Sequence, residues 1–150
     1  MSTSVILFPV PRIVRAYLIE QGVGFAYNVA TDWAIATSME QKKPVSLITI
    51  YEEASTKLAR SHTNGIYENP GVTIFARSAK PEPCQYRAKL IMNAMDSLSN
   101  WEWVGLSDEY GQTVVFQTAI RARGIFNLGK DENGKWNCNM EYQLVVKSIT

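Results

Sequence analysis

Trp136-Asn-Cys-Asn-Met-Glu-Tyr-Gln-Leu-Val-Val-Lys147 sets Trp136, Cys138, Met140, Tyr142, Leu144 and Val146 against Asn137, Asn139, Glu141, Gln143 and Lys147, with Val145 alone breaking the polar row. Successive side chains of a strand point to opposite faces, so this run reads as a half-buried antiparallel strand. Working back from it, strand-forming residues fill Trp103 to Leu106, Thr113 to Arg123 and Ile125 to Leu128, with turns at Asp108 to Gly111 and Asp131 to Gly134. Short turns between such runs make a C-terminal β-meander.

The N-terminal half changes period. Val10, Ile13, Val14, Tyr17 and Leu18 recur at helical spacing behind Pro9 and Pro11, and Gly22 and Gly24 end the pattern. Cys84, Ala88, Ile91, Met95 and Leu98 repeat that spacing and predict a second amphipathic helix over Pro83 to Leu98. Between the helices, Val45 to Tyr51 and Val72 to Arg77 read as strands, the first covered on both faces. Residues 25–44 show no clear period, although Trp33, Ala34 and Ile35 suit a short strand or turn against the core. Glu52 to Asn69 is polar, carries Asn64-Gly65, and reads as a long loop or extended hairpin. The fold class is therefore α+β: one mixed or antiparallel sheet with two amphipathic helices packed on it and a C-terminal meander.

At 150 residues and 46% hydrophobic content the chain suits one domain, spanning 1–150, with its own core. Fifteen basic residues face 14 acidic ones, and the balance holds in each half, so no broad field favours nucleic acid or anionic lipid. No apolar run approaches the ~20 residues of a membrane span, and Val5 to Phe8 is too short for a signal segment. Cys84 and Cys138 stand far apart in apolar patterns, which suits buried free thiols of a cytoplasmic chain rather than a disulfide framework.

Recognisable reaction chemistry is sparse. His62 is the only histidine and sits in a polar loop, so a multi-histidine zinc site has no ligands, and a triad would have to be built on that residue. Gly22-x-Gly24 fails as a dinucleotide fingerprint, because Tyr27 stands where the third glycine belongs and a helix precedes it. Asp131-Glu132-Asn133-Gly134 resembles the start of a calcium loop, but Lys135, Trp136 and Tyr142 occupy positions that need an oxygen, a glycine and a bidentate carboxylate. It reads as a hairpin turn. Trp33, Trp101, Trp103 and Trp136 lack the interleaved cations of a nucleic-acid stacking platform and suit a core or a subunit contact.

No catalytic, cofactor-binding or metal residue is assigned, and no cofactor is expected. The candidates that remain are interface residues. Arg121 and Arg123, two apart, should share a strand face opposite Phe116, Ile120 and Ala122, and suit a phosphate backbone, a neighbouring subunit's carboxylates or plain solvent. Glu52, Glu53, Lys57 and Arg60, with His62, belong to the long polar segment. A connection of that length has a binding task or is a plain surface loop.

The run from Gly124 through Phe126, Gly129, Asp131, Gly134 and Trp136 to Tyr142 resembles the closing hairpin of small tailed-bacteriophage proteins, the tail terminator or minor capsid family. So do Asn69-Pro70-Gly71 leading through Arg77 to Tyr86-x-Ala88, and the N-terminal helix ending in Gly22-Val23-Gly24. The loop between 52 and 69 looks longer and poorer in glycine than the family pattern. The resemblance implies a lambda-like terminator fold and a virion structural protein, assembled in the host cytoplasm. It implies a ring, commonly a hexamer, on the head-proximal end of the tail tube. Such a ring contacts the tube protein and a neck or connector protein, and genome DNA passes its lumen without sequence-specific binding. Another neck or head-completion protein is the nearest alternative. A small enzyme with an unrecognised site is a more distant one. No membrane partner is implied.

Overall fold

The computed structural model describes residues 9–53, 66–104 and 113–148. Helix α1, Val10–Glu20, starts behind Pro9 with a second proline in its first turn, where the missing N–H has no intrahelical partner to lose. Its buried face is the predicted one: Val10, Ile13, Val14, Tyr17 and Leu18. The helix ends because Gly22 takes φ +73°, which brings the Val23 N–H to the Leu18 carbonyl and the Gly22 N–H to that of Ile19, both at 3.0 Å. Helix α2, Pro81–Asp96, begins two residues earlier than its apolar spacing predicts, with Pro81 in its first turn, and buries Cys84, Ala88, Ile91, Ala94 and Met95.

Eight strands form one mixed sheet. They are β1 (Phe25–Ala26), β2 (Ala34–Thr37), β3 (Leu47–Glu53), β4 (Ile66–Glu68), β5 (Gly71–Ser78), β6 (Ser99–Val104), β7 (Thr113–Lys130) and β8 (Trp136–Ser148). The order is β1-β2-β3-β5-β8-β7-β6; β1, β2 and β3 run parallel and the other pairs are antiparallel. Strand β4 pairs β8 just beyond the stretch that β5 pairs, and the Pro70 carbonyl between them accepts the Leu144 N–H at 2.9 Å. Strands β6, β7 and β8 form the meander.

Both helices cover one face. Ile13 and Leu18 of α1, Ile91 and Met95 of α2, and Ile48, Ile74, Met140 and Leu144 of the sheet belong to one fully buried cluster. The Tyr17 hydroxyl ties the helices together by donating to the Ala94 carbonyl at 2.7 Å in a buried site. Trp33, Trp101, Trp103 and Trp136 are half-buried at the margin of this core. Trp101 packs edge-on against Tyr17 and Phe116, with centroid separations of 5.4 and 6.2 Å, and its indole N–H donates to Glu20. On the opposite face Ala34, Ala36 and Leu47 make a second, smaller cluster, so β3 is covered on both sides at its start, as its apolar composition implies.

Some boundaries differ from the sequence reading. Strand β3 extends through Glu52 and Glu53, and β4 occupies 66–68, so the polar segment is not loop throughout; 54–65, with Lys57, Arg60 and His62, lies outside the described residues. Thr113–Arg123 and Ile125–Leu128, read as two runs, are one strand, β7, interrupted by bulges. Strand β6 starts at Ser99, four residues before the predicted Trp103. The Asp108 to Gly111 turn and Val5 to Phe8 also lie outside the described residues.

Candidate functional site

The long β7–β8 hairpin outruns its neighbour β6 in the sheet. Strand β7 has 18 residues, but its ladder with β6 ends at the pair Ser99 and Thr118. From Ala119 to Lys130 it is paired only with β8, so among the described residues its outer backbone edge is open. Large apolar side chains are exposed there: Ile120 is 56% accessible, Phe126 50% and Leu128 47%. Ordinary soluble domains blunt such an edge or cover it.

Bulges decide where the arginines go. Arg121 pairs with Tyr142 but Arg123 pairs with Glu141, so β7 advances two residues while β8 advances one. That extra residue turns Arg123 onto the face opposite Arg121, and the expectation that the two share a face is wrong. Arg121 lies on the helix side, where its guanidinium meets Asp96 of α2 at 2.8 Å. Arg123 lies on the helix-free face, 3.4 Å from the Glu141 carboxylate and 3.2 Å from the Asn139 side-chain oxygen, and 5.2 Å above the Phe126 ring. Ile120, expected opposite the arginines, faces the same way as Gln143, on the side of Arg123.

Glu52 and Glu53, being adjacent in β3, point to opposite faces. Glu53 accepts a hydrogen bond from the Thr73 hydroxyl at 2.7 Å. It lines a cleft of 520 Å³ with Gly71, Ala122, Glu141, Tyr142 and Gln143. The Tyr142 side chain points to the other face of the sheet, where its hydroxyl reaches the Asp96 carboxylate of α2 at 3.2 Å; burial first, then that carboxylate, push its pKa far above the ordinary phenol value. A phenol so held is a poor proton donor near neutrality.

A second cleft, of 610 Å³, opens between residues 40–42 and the turn Asp131 to Lys135, with Arg77 at its base. Arg77 is only 7% exposed. Its Nε donates to the Val45 carbonyl at 3.2 Å, Nη2 to those of Lys42 at 3.2 Å and Pro44 at 2.9 Å, and Nη1 meets Glu40. Every nitrogen is engaged, so the guanidinium clamps the 40–45 segment. Asp131 is likewise occupied by its turn: its carboxylate accepts the Lys135 and Asn133 N–H groups at 2.9 Å and the Asn137 amide at 3.1 Å, and these bonds, the Lys135 one foremost, hold its pKa below the usual carboxylate value.

Cys84 and Cys138 are buried free thiols with sulfurs 3.5 Å apart, α2 against β8. Burial, and then the neighbouring thiol, push the Cys84 pKa up to about 12. A thiol that stays protonated is a poor nucleophile. No group of three His, Cys, Asp or Glu that could hold a metal ion occurs among the described residues, and no helix there is long and apolar enough to cross a membrane.

The sequence reading missed the Arg77 clamp and the open β7 edge. An arginine inside the β-branched run Val72 to Arg77 was a signal for the first. For the second there was the mismatch between the long β-forming run after Thr113 and the shorter one before Leu106 that has to pair with it.

Fold and edges together define an α+β protein with a mixed sheet, an open outer strand and no assembled catalytic constellation among the described residues. No protein-family model matches the chain, and no curated protein matches it.

Proposed function

We propose that this chain is a structural protein of a tailed-phage virion, a tail terminator. In that role it forms a ring, a hexamer as the resemblance implies, at the head-proximal end of the tail tube, stops tube growth and joins the tail to the neck. The supporting observation is the hairpin that carries the resembling run Gly124 to Tyr142, whose outer edge is open and exposes Ile120, Phe126 and Leu128. An edge of this kind is a template for adding another chain. Its partners in this reading are further copies, the tube protein and a neck or connector protein. Genome DNA passes without sequence reading, since arginines tied to Asp96 and Glu141 carry no base code.

The test combines mass by light scattering over a concentration series with tube lengths in negative-stain images, after adding the full chain to polymerising tube protein of the same phage. The expected outcome is a ring that decorates one tube end and halts elongation. A strict monomer that leaves tube length unchanged overturns the reading, and a ring that binds only the head side replaces the terminator with a neck component.

A further inference from the structure

The open β7 edge has a counterpart at the other end of the same sheet. Strand β1 is bonded only to β2 among the described residues, and its surroundings are apolar and exposed: Phe25 is 50% accessible, Tyr27 37% and Val29 62%. This end is held in place. The Phe25 N–H bonds the Trp33 carbonyl at 3.1 Å, the Tyr27 hydroxyl bonds that of Lys43 at 2.7 Å, and the Arg87 guanidinium stacks 4.8 Å above the Trp33 ring.

Along the sequence the two edge segments carry opposite charges, each beside charges of the other sign: Arg87 and Lys43 stand at the β1 end, Asp96 and Glu141 at the β7 end. Thr113 to Lys130 contains Arg121, Arg123 and Lys130 and no acid, whereas Glu20 to Gln41 contains Glu20, Asp32 and Glu40 and no base. Lys42 and Lys43 follow β2, with the Lys43 carbonyl touching Tyr27, just as Asp131 and Glu132 follow β7. Within the subunit Arg121 is paired with Asp96, Arg123 with Glu141 and Glu40 with Arg77, and Glu20 takes the Trp101 N–H. What is left over is a cation, Lys130, at one end and an exposed anion, Asp32, at the other.

Ladder geometry selects the same pairing. Register shifts between Phe116 and Thr118, Arg121 and Arg123, Arg123 and Phe126, and Asn127 and Gly129 divide β7 into short regular runs. A long ladder between two β7 edges related by a two-fold axis would have to cross these bulges, and it would leave Phe25, Tyr27 and Val29 uncovered. A two-residue strand such as β1 fits one short run.

We infer that the second chain on the β7 edge is another copy of this protein, which presents its β1 end, Phe25 to Asp32, to Ala119 to Lys130. The contact is heterologous: each subunit uses one end to receive and the other to insert, and the sheet continues across the boundary. This rests on the self-assembly reading above and names the surfaces that carry it.

The experiment uses two full-length variants, Phe25→Asp and Phe126→Asp, with Val29→Asp and Leu128→Asp as second choices should either lose its native circular-dichroism spectrum. Each variant alone should self-associate at least about tenfold more weakly than the wild type, because a charge sits in an apolar contact. Mixed one to one, they should form a dimer and nothing larger, since exactly one intact β7 edge then meets one intact β1 end. Raising the salt should weaken that dimer. A Phe25→Asp protein that dimerises by itself, or a mixture that stays monomeric while the wild type forms rings, overturns this inference and leaves the proposed function standing. A wild type that is monomeric at every concentration overturns this inference, and one that also leaves tube length unchanged overturns both.

Discussion

Replacing Arg77 by methionine keeps an apolar stem of similar length and removes the guanidinium that pins residues 40–45. Three carbonyl partners are lost: Pro44 at 2.9 Å in a buried site, and Val45 and Lys42, each at 3.2 Å in partly buried ones. A hydrogen bond to a charged group contributes roughly 1.5–3 kcal/mol, and a partly exposed one less. Glu40 adds little, because its side chain is 47% exposed and regains water when released. Against these losses stands relief from holding a guanidinium out of water, a cost of several kcal/mol in a site this enclosed. The net expectation is a loss of about 2–4 kcal/mol. In urea the midpoint should fall by roughly 1–2 M with an unchanged slope, and amide exchange should rise first in residues 38–46. Arg77→Lys should recover only part of this, since one ammonium cannot span three carbonyls and a carboxylate. A loss below about 0.5 kcal/mol, with residues 38–46 still protected, would refute the clamp.

Gly24→Ala would place a Cβ 2.5 Å from Ile35 Cδ1 and 2.7 Å from its Cγ1, and Ile35 is fully buried, so overpacking should lower stability by about 1–3 kcal/mol in the same urea assay. Because Cys84 binds its proton more tightly folded than unfolded, its contribution is complete below about pH 9 and should be lost as pH rises toward about 12; thermal melts at a series of pH values check the sign, and a thiol reagent at pH 8 should label the chain only in denaturant. Arg121→Ala and Arg123→Ala should each change stability by no more than about 1 kcal/mol, and a double-mutant cycle should show additivity, because the bulge puts the two ion pairs on opposite faces; a coupling above about 0.5 kcal/mol would place them together again.

Much of this protein follows from local pattern. The buried stripe of α1 is the set Val10, Ile13, Val14, Tyr17 and Leu18, and the stop at Gly22 is a positive-φ turn, since both depend only on helical periodicity and on a residue without a Cβ. The alternation in β8 placed Cys138, Met140, Tyr142, Leu144 and Val146 inside for the same reason, a two-residue repeat that a core can read. Other features are set by contacts between distant residues. Parallel pairing joins β1 and β2, from a stretch whose composition carries no period, to β3, and Arg77 acquires partners more than thirty positions away. Counting by two puts Arg121 and Arg123 on one face because it assumes an unbroken ladder, whereas one extra residue opposite β8 inverts the faces as far as the next bulge. The sequence by itself therefore determined the helices, the polarity of the last strand and the fold class, where short-range periodicity dominates. Only the tertiary structure decided which strand edge stays open and which side of the sheet each arginine meets, because bulges and strand order depend on how far each strand finds a partner.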